Sequence, residues 1–145
     1  MPASSEAVMS LTGGARVWGR NVSTPAQVIG EVRRGLPYAA LDHVMRELGM
    51  GRPEVMRLLR IPARTLDRRK REKRLSADES DRLYRLVRVF AHAGETFGSP
   101  ARAAAWMRQA NRGLGGLVPL ELLDTDAGAR EVEGVLIRID HGIHG

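Results

Sequence analysis

Apolar residues recur at helical spacing in one short segment after another, and this periodicity constrains the fold more than any other feature of the chain. The clearest segment begins at Ser76 and carries a single apolar stripe through Leu83, Leu86, Val87 and Phe90. Almost no segment alternates apolar and polar residues in the way that marks a half-buried β-strand. The sequence therefore predicts an all-α fold.

Helix-capping patterns and glycines divide the periodic segments into short helices. Thr24 with Gln27, and Ser76 with Glu79, form capping boxes that predict two helix starts. The last periodic segment is expected to end near His141. Further breaks are predicted at glycines and prolines, namely Gly35, Gly49, Pro53, Pro62, Gly94, Pro100, Gly113 to Gly116 and Pro119.

These breaks divide the chain into three parts. Residues 1–23 are rich in Ser, Gly and Ala without apolar periodicity, so we expect a flexible arm. Residues 24–94 form a basic helical half, and residues 95–145 form a smaller carboxy-terminal half. Because no long polar linker separates these halves, they are expected to pack together.

Positive charge is concentrated in residues 57–74, which hold nine Lys and Arg residues against Asp67 and Glu72. The local net charge is +7, whereas the whole chain carries +6, so the remainder nets −1. Each phosphate that such a segment neutralises releases condensed counterions, which favours nucleic acid as a partner. The alternative is a solvated charged surface without a polyanionic partner.

Residues 53–71 have the pattern of a helix-turn-helix, in which one short helix supports a second that enters the DNA major groove. Leu66 is expected to face inward against Leu58 or Leu59. Arg60 stands where the turn usually has a left-handed glycine, and a non-glycine residue in that conformation costs roughly 1 to 2 kcal/mol. Either the turn is altered, or packing around Ile61 offsets this cost. The residues expected to contact duplex DNA lie on the second helix and just after it: Arg64, Thr65, Arg68 and Arg69 at base edges and phosphates, and Lys70, Arg71, Lys73 and Arg74 at phosphates.

Groups suited to catalysis or metal binding are sparse. The chain has no cysteine, which excludes disulfides, thiolate nucleophiles and cysteine-ligated zinc. Of its four histidines only His141 and His144 are close in sequence, and surface or capping roles are favoured over a metal site. The glycines at 113–116 lack the spacing of a phosphate loop, and no GxSxG motif occurs. We therefore predict no enzymatic activity, no cofactor and no metal.

The chain is also expected to stay in the cytoplasm without a membrane partner. No apolar run approaches the roughly 18 residues that a transmembrane helix needs. Residues 1–23 lack the continuous apolar core of a signal peptide.

The order of the motifs resembles the Xre/MbcA/ParS family of antitoxins, over residues 36–144. The first block of residues that carry the resemblance consists of Ala63 to Lys70, Leu75, Ser76, Glu79, Ser80, Arg82, Leu83, Phe97 and Gly98. The second block consists of Ala104, Trp106, Met107, Asn111, Leu114 to Gly116, Pro119, Leu120, Leu123 to Thr125, Gly128, Val132, Leu136 and Ile139 to Gly142.

The resemblance implies an Xre-like helix-turn-helix subdomain packed against a small helical toxin-binding subdomain. It implies a partner toxin of the RES type, which degrades NAD and whose active-site entrance the carboxy-terminal domain covers. It further implies a homodimer that represses its own operon by binding operator DNA. The residues that it places at the toxin are Leu117, Arg138, Asp140, His141, Gly142 and His144.

A second function class remains open beside the antitoxin, namely a stand-alone helix-turn-helix transcription regulator whose carboxy-terminal half dimerises or senses a ligand. A gene for a toxic protein beside this one would favour the antitoxin. Trp106, Met107 and residues 117–123 also have two interpretations. Large apolar residues at helical spacing usually pack in a core, but they could instead form a patch for a partner.

Overall fold

The computed structural model describes residues 5–142, and over that range it contains nine α-helices and two 3-10 turns. The described residues form two isolated bridges and no β-strand, so the all-α prediction is confirmed. No helix in this range is both long enough and apolar enough to span a bilayer. The helices are α1 (Ser5–Leu11), α2 (Gly14–Trp18), α3 (Pro25–Arg34), α4 (Tyr38–Leu48), α5 (Arg52–Leu59), α6 (Ala63–Glu72), α7 (Ala77–Phe97), α8 (Pro100–Met107) and α9 (Asp126–Asp140), and the 3-10 turns are Arg112–Leu114 and Pro119–Leu122.

Both predicted capping boxes are present at the starts of α3 and α7. The hydroxyl oxygens of Thr24 and Ser76 each accept a backbone N–H three residues on, at 3.2 Å, and the Gln27 and Glu79 side chains bond back to the caps. The predicted end of α7 at Gly94 was wrong, because the helix continues to Phe97. A glycine inside a helix costs only about 1 kcal/mol, and the packing of this central helix outweighs that cost.

The central helix is α7, and α1, α3, α5, α8 and α9 all pack against it. Its buried side chains include Leu83, Val87 and Phe90, which belong to one hydrophobic cluster that extends through both halves. The boundary predicted near residue 95 falls inside this helix. The two halves therefore share α7 and a continuous core.

The prediction of a flexible arm needs correction in its described part, residues 5–23. These residues form α1 and α2, which pack on α4 and α7. Val8, Trp18 and Val22 are buried, and the indole N–H of Trp18 donates to the buried hydroxyl of Thr12 at 2.7 Å. Each helix is too short to display a repeating stripe, so the sequence pattern did not indicate that its apolar residues are buried.

Candidate nucleic-acid interface and carboxy-terminal surface

The helix-turn-helix consists of α5, a three-residue turn and α6. Leu58, Leu59 and Leu66 are all buried, so Leu66 faces inward as predicted. Arg60 adopts the left-handed conformation, with φ 55° and ψ 46°, and its backbone N–H bonds to the carbonyl of Met56. The neighbouring Ile61 is fully buried. Burying such a side chain contributes about 1.5 to 3 kcal/mol, which offsets the cost of roughly 1 to 2 kcal/mol for the strained arginine.

Six of the residues expected to contact DNA are exposed, and five of them define a basic surface. This basic surface consists of Arg64, Arg68, Lys70, Arg71 and Lys73, with Thr65 half-buried beside it, and the sixth exposed residue is Arg74. Arg68 lies 3.7 Å from the Glu72 carboxylate, and such an exposed pair contributes at most about 1 kcal/mol, so a phosphate can replace it. The geometry thus presents exposed cations along α6 and just after its end.

Arg69 was expected at the DNA, but the structure turns it inward. Its guanidinium donates to both carboxylate oxygens of Glu79, at 2.7 and 3.1 Å, and to Glu72 at 3.2 Å, and its side chain is only 18% exposed. Burial alone would raise the pKa of Glu79, yet the hydrogen bonds from Arg69 and from Ser76 lower it below its usual value. Arg69 therefore fastens α6 to the start of α7, and we remove it from the basic surface.

The end of α6 is fixed to the connection between α3 and α4. The backbone N–H of Tyr38 donates to the Lys73 carbonyl at 3.0 Å, and that of Leu75 donates to the Leu36 carbonyl at 2.9 Å. The buried hydroxyl of Ser80 accepts the Leu36 N–H at 2.7 Å, which ties the same connection to α7. Arg74 donates to the Gly35 carbonyl, so its side chain also stabilises this connection. The carboxy-terminal end of the basic surface is thereby held in place.

The carboxy-terminal surface is built by α8, the two 3-10 turns and α9. The backbone N–H of Asn111 donates to the Leu117 carbonyl at 3.0 Å, which closes the loop around residues 113–116 and leaves Leu117 54% exposed. The core interpretation of residues 117–123 is thus confirmed for Leu120 and Leu123 and wrong for Leu117. Trp106 is half-buried and its ring lies 5.2 Å from that of Phe97. Met107 is fully buried.

Asp140, at the last position of α9, is held by two side chains of α7. His92 Nε2 lies 2.7 Å from one carboxylate oxygen, and the Thr96 hydroxyl donates to the other at 2.6 Å. Burial would raise the pKa of Asp140, but the hydrogen bonds from Thr96 and His92 outweigh it and lower the pKa to about 2. Of the other residues expected at the toxin, Arg138, His141 and Gly142 are exposed. His144 lies outside the described residues.

Arg108 joins the two halves, although no role was predicted for it. Its guanidinium donates to the carbonyls of Leu48 and Gly49, at 3.1 and 3.0 Å, and to Glu54 at 2.9 Å. The hydrogen bond from Arg108 lowers the pKa of Glu54. The end of α8 is therefore docked on the end of α4 and the start of α5. No local pattern marks Arg108, because its partners lie more than fifty residues away in the sequence.

Polar contacts between α7 and α9, called the polar seam below, were also not predicted, although the sequence contains a signal for them. Arg88, His92 and Thr96 are spaced four residues apart, so they share one face of α7. Polar residues at that spacing inside a long apolar helix indicate a polar contact with a neighbouring element. Over residues 5–142 no group of His, Asp and Glu side chains is arranged to hold a metal ion.

Fold and surfaces together define a class: a small helix-turn-helix protein whose second helical half shares its core and presents its own surface. An Xre-like antitoxin helix-turn-helix domain matches residues 27–88, and the carboxy-terminal toxin-binding domain of Xre/MbcA/ParS antitoxins matches residues 92–142. The chain belongs to this antitoxin family. It is thus an antitoxin of a toxin–antitoxin system, and its toxin-binding domain implies a cognate toxin as partner.

Curated relatives agree with this assignment. The chain is 39% identical to the antitoxin Xre of Photorhabdus laumondii over 114 residues, which cover 77% of each protein. It is 32% identical to the antitoxin Xre of Yersinia enterocolitica over 130 residues, which cover 86% of this chain and 88% of the relative. It is 26% identical to a Sphingobium protein named Prs ADP-ribosylating antitoxin, with 83% of this chain and 82% of that protein covered.

Proposed function

We propose that this antitoxin neutralises a RES-type, NAD-degrading toxin by covering its active-site entrance, and that it represses its own operon by binding operator DNA as a homodimer. The observation that supports this proposal is that the basic surface and the carboxy-terminal surface are attached at different ends of α7. Arg69 fastens α6 to Glu79 at the start of α7, whereas Asp140 fastens the end of α9 to His92 near the other end. Because a helix rises about 1.5 Å per residue, these attachment points lie about 20 Å apart. Toxin and DNA therefore need not compete for one surface.

The proposed toxin-contacting surface combines exposed apolar and cationic side chains of the carboxy-terminal half. Besides Leu117, Ile137 is 44% exposed on α9. The side chain of Arg138 passes close to Gly113, which places it beside the loop that carries Leu117. Apolar residues together with arginine are typical of the central part of a protein interface. The surface consists of Leu117, Ile137, Arg138, His141 and Gly142.

Toxin neutralisation is tested by placing charge on this surface. Leu117→Glu combined with Ile137→Glu should abolish rescue of cells that express the protein encoded beside this gene, because two carboxylates would be desolvated at the interface. Ile29→Glu is the matched control, since Ile29 is 49% exposed on α3, outside this surface, and should still rescue. The assay follows growth, loss of NAD and transfer of ADP-ribose to protein. Full rescue by the double variant would refute the surface, and failure of the unmodified chain to rescue would refute the toxin assignment.

Operator binding is tested separately on the basic surface. Arg64→Ala and Arg68→Ala should each cost about 1 to 3 kcal/mol of discrimination at a contacted base pair. Lys73→Ala should weaken binding to all sequences similarly and make the dependence of log K on log salt shallower by about one. Mobility shifts on the upstream DNA measure both effects, and light scattering should find two chains per operator. All three variants should still neutralise the toxin. Absence of any shift with the intact protein at low salt would refute DNA binding.

A further inference from the structure

We propose that His92 and Thr96 are positioning residues for toxin neutralisation, which hold the toxin-contacting end of α9 in place through Asp140. This inference rests on the proposed function of that end. Neither residue belongs to the toxin-contacting surface, since His92 is only 2% exposed and Thr96 is half-buried. Both act on the last residue of α9, after which the exposed His141 and Gly142 follow.

The side chains of His92, Thr96 and Asp140 form one hydrogen-bonded group. One carboxylate oxygen of Asp140 lies 2.7 Å from His92 Nε2, and the other accepts the Thr96 hydroxyl at 2.6 Å. Because both oxygens have partners on α7, the carboxylate cannot rotate without breaking one of the two bonds. His92 and Thr96 are one helical turn apart, so both bind the end of α9 from the same face of α7.

The geometry also fixes which nitrogen of His92 carries a proton. The carboxylate of Asp140 only accepts hydrogen bonds, because its pKa is about 2, so Nε2 must be the donor. Nδ1 is buried and has no hydrogen-bond partner within the described structure. With Nε2 as the donor, the bond to Asp140 orients the ring.

Stability alone does not call for this arrangement. The Asp140 side chain is 21% exposed, and apolar residues can often replace a polar contact of this kind without loss of stability. The last turn of α9 is also held by Ile139, which packs against the core, and by backbone bonds from His141 to Ile137 and from Gly142 to Ile139. His141 and Gly142 themselves are exposed, and exposed helix ends fray readily. A frayed end would have to become ordered on the toxin, and ordering on binding lowers affinity.

A second link between the same helices provides a matched control. Arg88 on α7 donates to Glu133 on α9, with nitrogen–oxygen distances of 2.7 and 3.3 Å. This pair crosses the seam two turns of α9 before Asp140, away from the chain end. Glu133→Gln therefore weakens the contact between α7 and α9 without releasing the last turn.

The experiment measures toxin affinity and amide exchange on the full-length protein, with the product of the neighbouring gene as the probe. His92→Leu and Thr96→Val should each raise the Kd for that protein about tenfold and should accelerate hydrogen exchange at His141 and Gly142. His92→Gln and Thr96→Ser keep a donor near the carboxylate and should bind within about twofold of the unmodified chain. Glu133→Gln should bind the product of the neighbouring gene normally, even if it lowers Tm as much as His92→Leu or Thr96→Val does.

Each outcome decides between the alternatives. Unchanged affinity of both His92→Leu and Thr96→Val, or an equal loss of affinity in Glu133→Gln, would overturn the positioning role and leave toxin binding intact. Failure of His92→Gln and Thr96→Ser to restore affinity would also overturn it. If the unmodified chain fails to bind the neighbouring protein, the proposed function itself falls, and the positioning role falls with it.

Discussion

Replacing Gly35 by alanine should lower the free energy of unfolding by about 3 kcal/mol and remove operator binding. Gly35 has φ 95°, which L side chains rarely adopt, and an added Cβ would overlap the Leu75 carbonyl oxygen. That oxygen belongs to the backbone, so it cannot move aside like a side chain. Relieving the clash would break the bond from the Leu75 N–H to the Leu36 carbonyl, which holds the end of α6.

The measurement is urea unfolding followed by a mobility shift on operator DNA, with Gly30→Ala as the control. Gly30 lies inside α3, where an added Cβ would meet only the flexible end of Arg34, at 3.8 Å. Alanine there should stabilise the protein by about 0.5 to 1 kcal/mol because it favours the helix. A Gly35→Ala protein as stable as the unmodified chain would show that the connection between α3 and α4 can move, and would refute the proposed constraint on α6.

Replacing Gly128 by alanine should abolish toxin neutralisation, against the direction that helix propensity predicts. Gly128 lies in the first turn of α9, where alanine normally stabilises a helix by about 0.5 to 1 kcal/mol. Here an added Cβ would overlap the backbone carbonyl oxygen of Leu122. Overpacking of this kind costs about 1 to 3 kcal/mol or more, so the steric effect outweighs the propensity. The start of α9 must then separate from the 3-10 turn that precedes it.

Gly134→Ala is the control for this prediction, since it lies in the same helix and meets only the end of Arg138, at 3.8 Å. We expect a higher Tm for Gly134→Ala and a Tm lower by roughly 5 to 10 °C for Gly128→Ala. Calorimetry measures both, and rescue of toxin-expressing cells reports the functional loss. If Gly128→Ala rescues fully and melts no earlier than the unmodified chain, the close approach of the Leu122 carbonyl does not constrain the toxin-binding half.

The sequence alone determined the elements that depend on neighbours within one helical turn. The capping boxes at Thr24 and Ser76 join residues three apart, and the inward position of Leu66 follows from helical spacing. For Arg60 the sequence left two alternatives open, an altered turn or a left-handed arginine supported by packing around Ile61, and the structure has the second. Such interactions are local, so the sequence of the segment specifies them wherever that segment lies in the fold.

Only the tertiary structure decided what joins distant residues. Arg69 was expected at the DNA like its neighbours on α6, but it is paired with Glu79. Asp140 was expected at the toxin, and the fold pairs it with His92, forty-eight residues earlier. The residues expected to be an arm became helices because α4 and α7 offer them a surface to pack on. The physical reason is common to all three. Burial and pairing depend on which side chains the fold brings together, and the local sequence pattern around each residue does not contain that information.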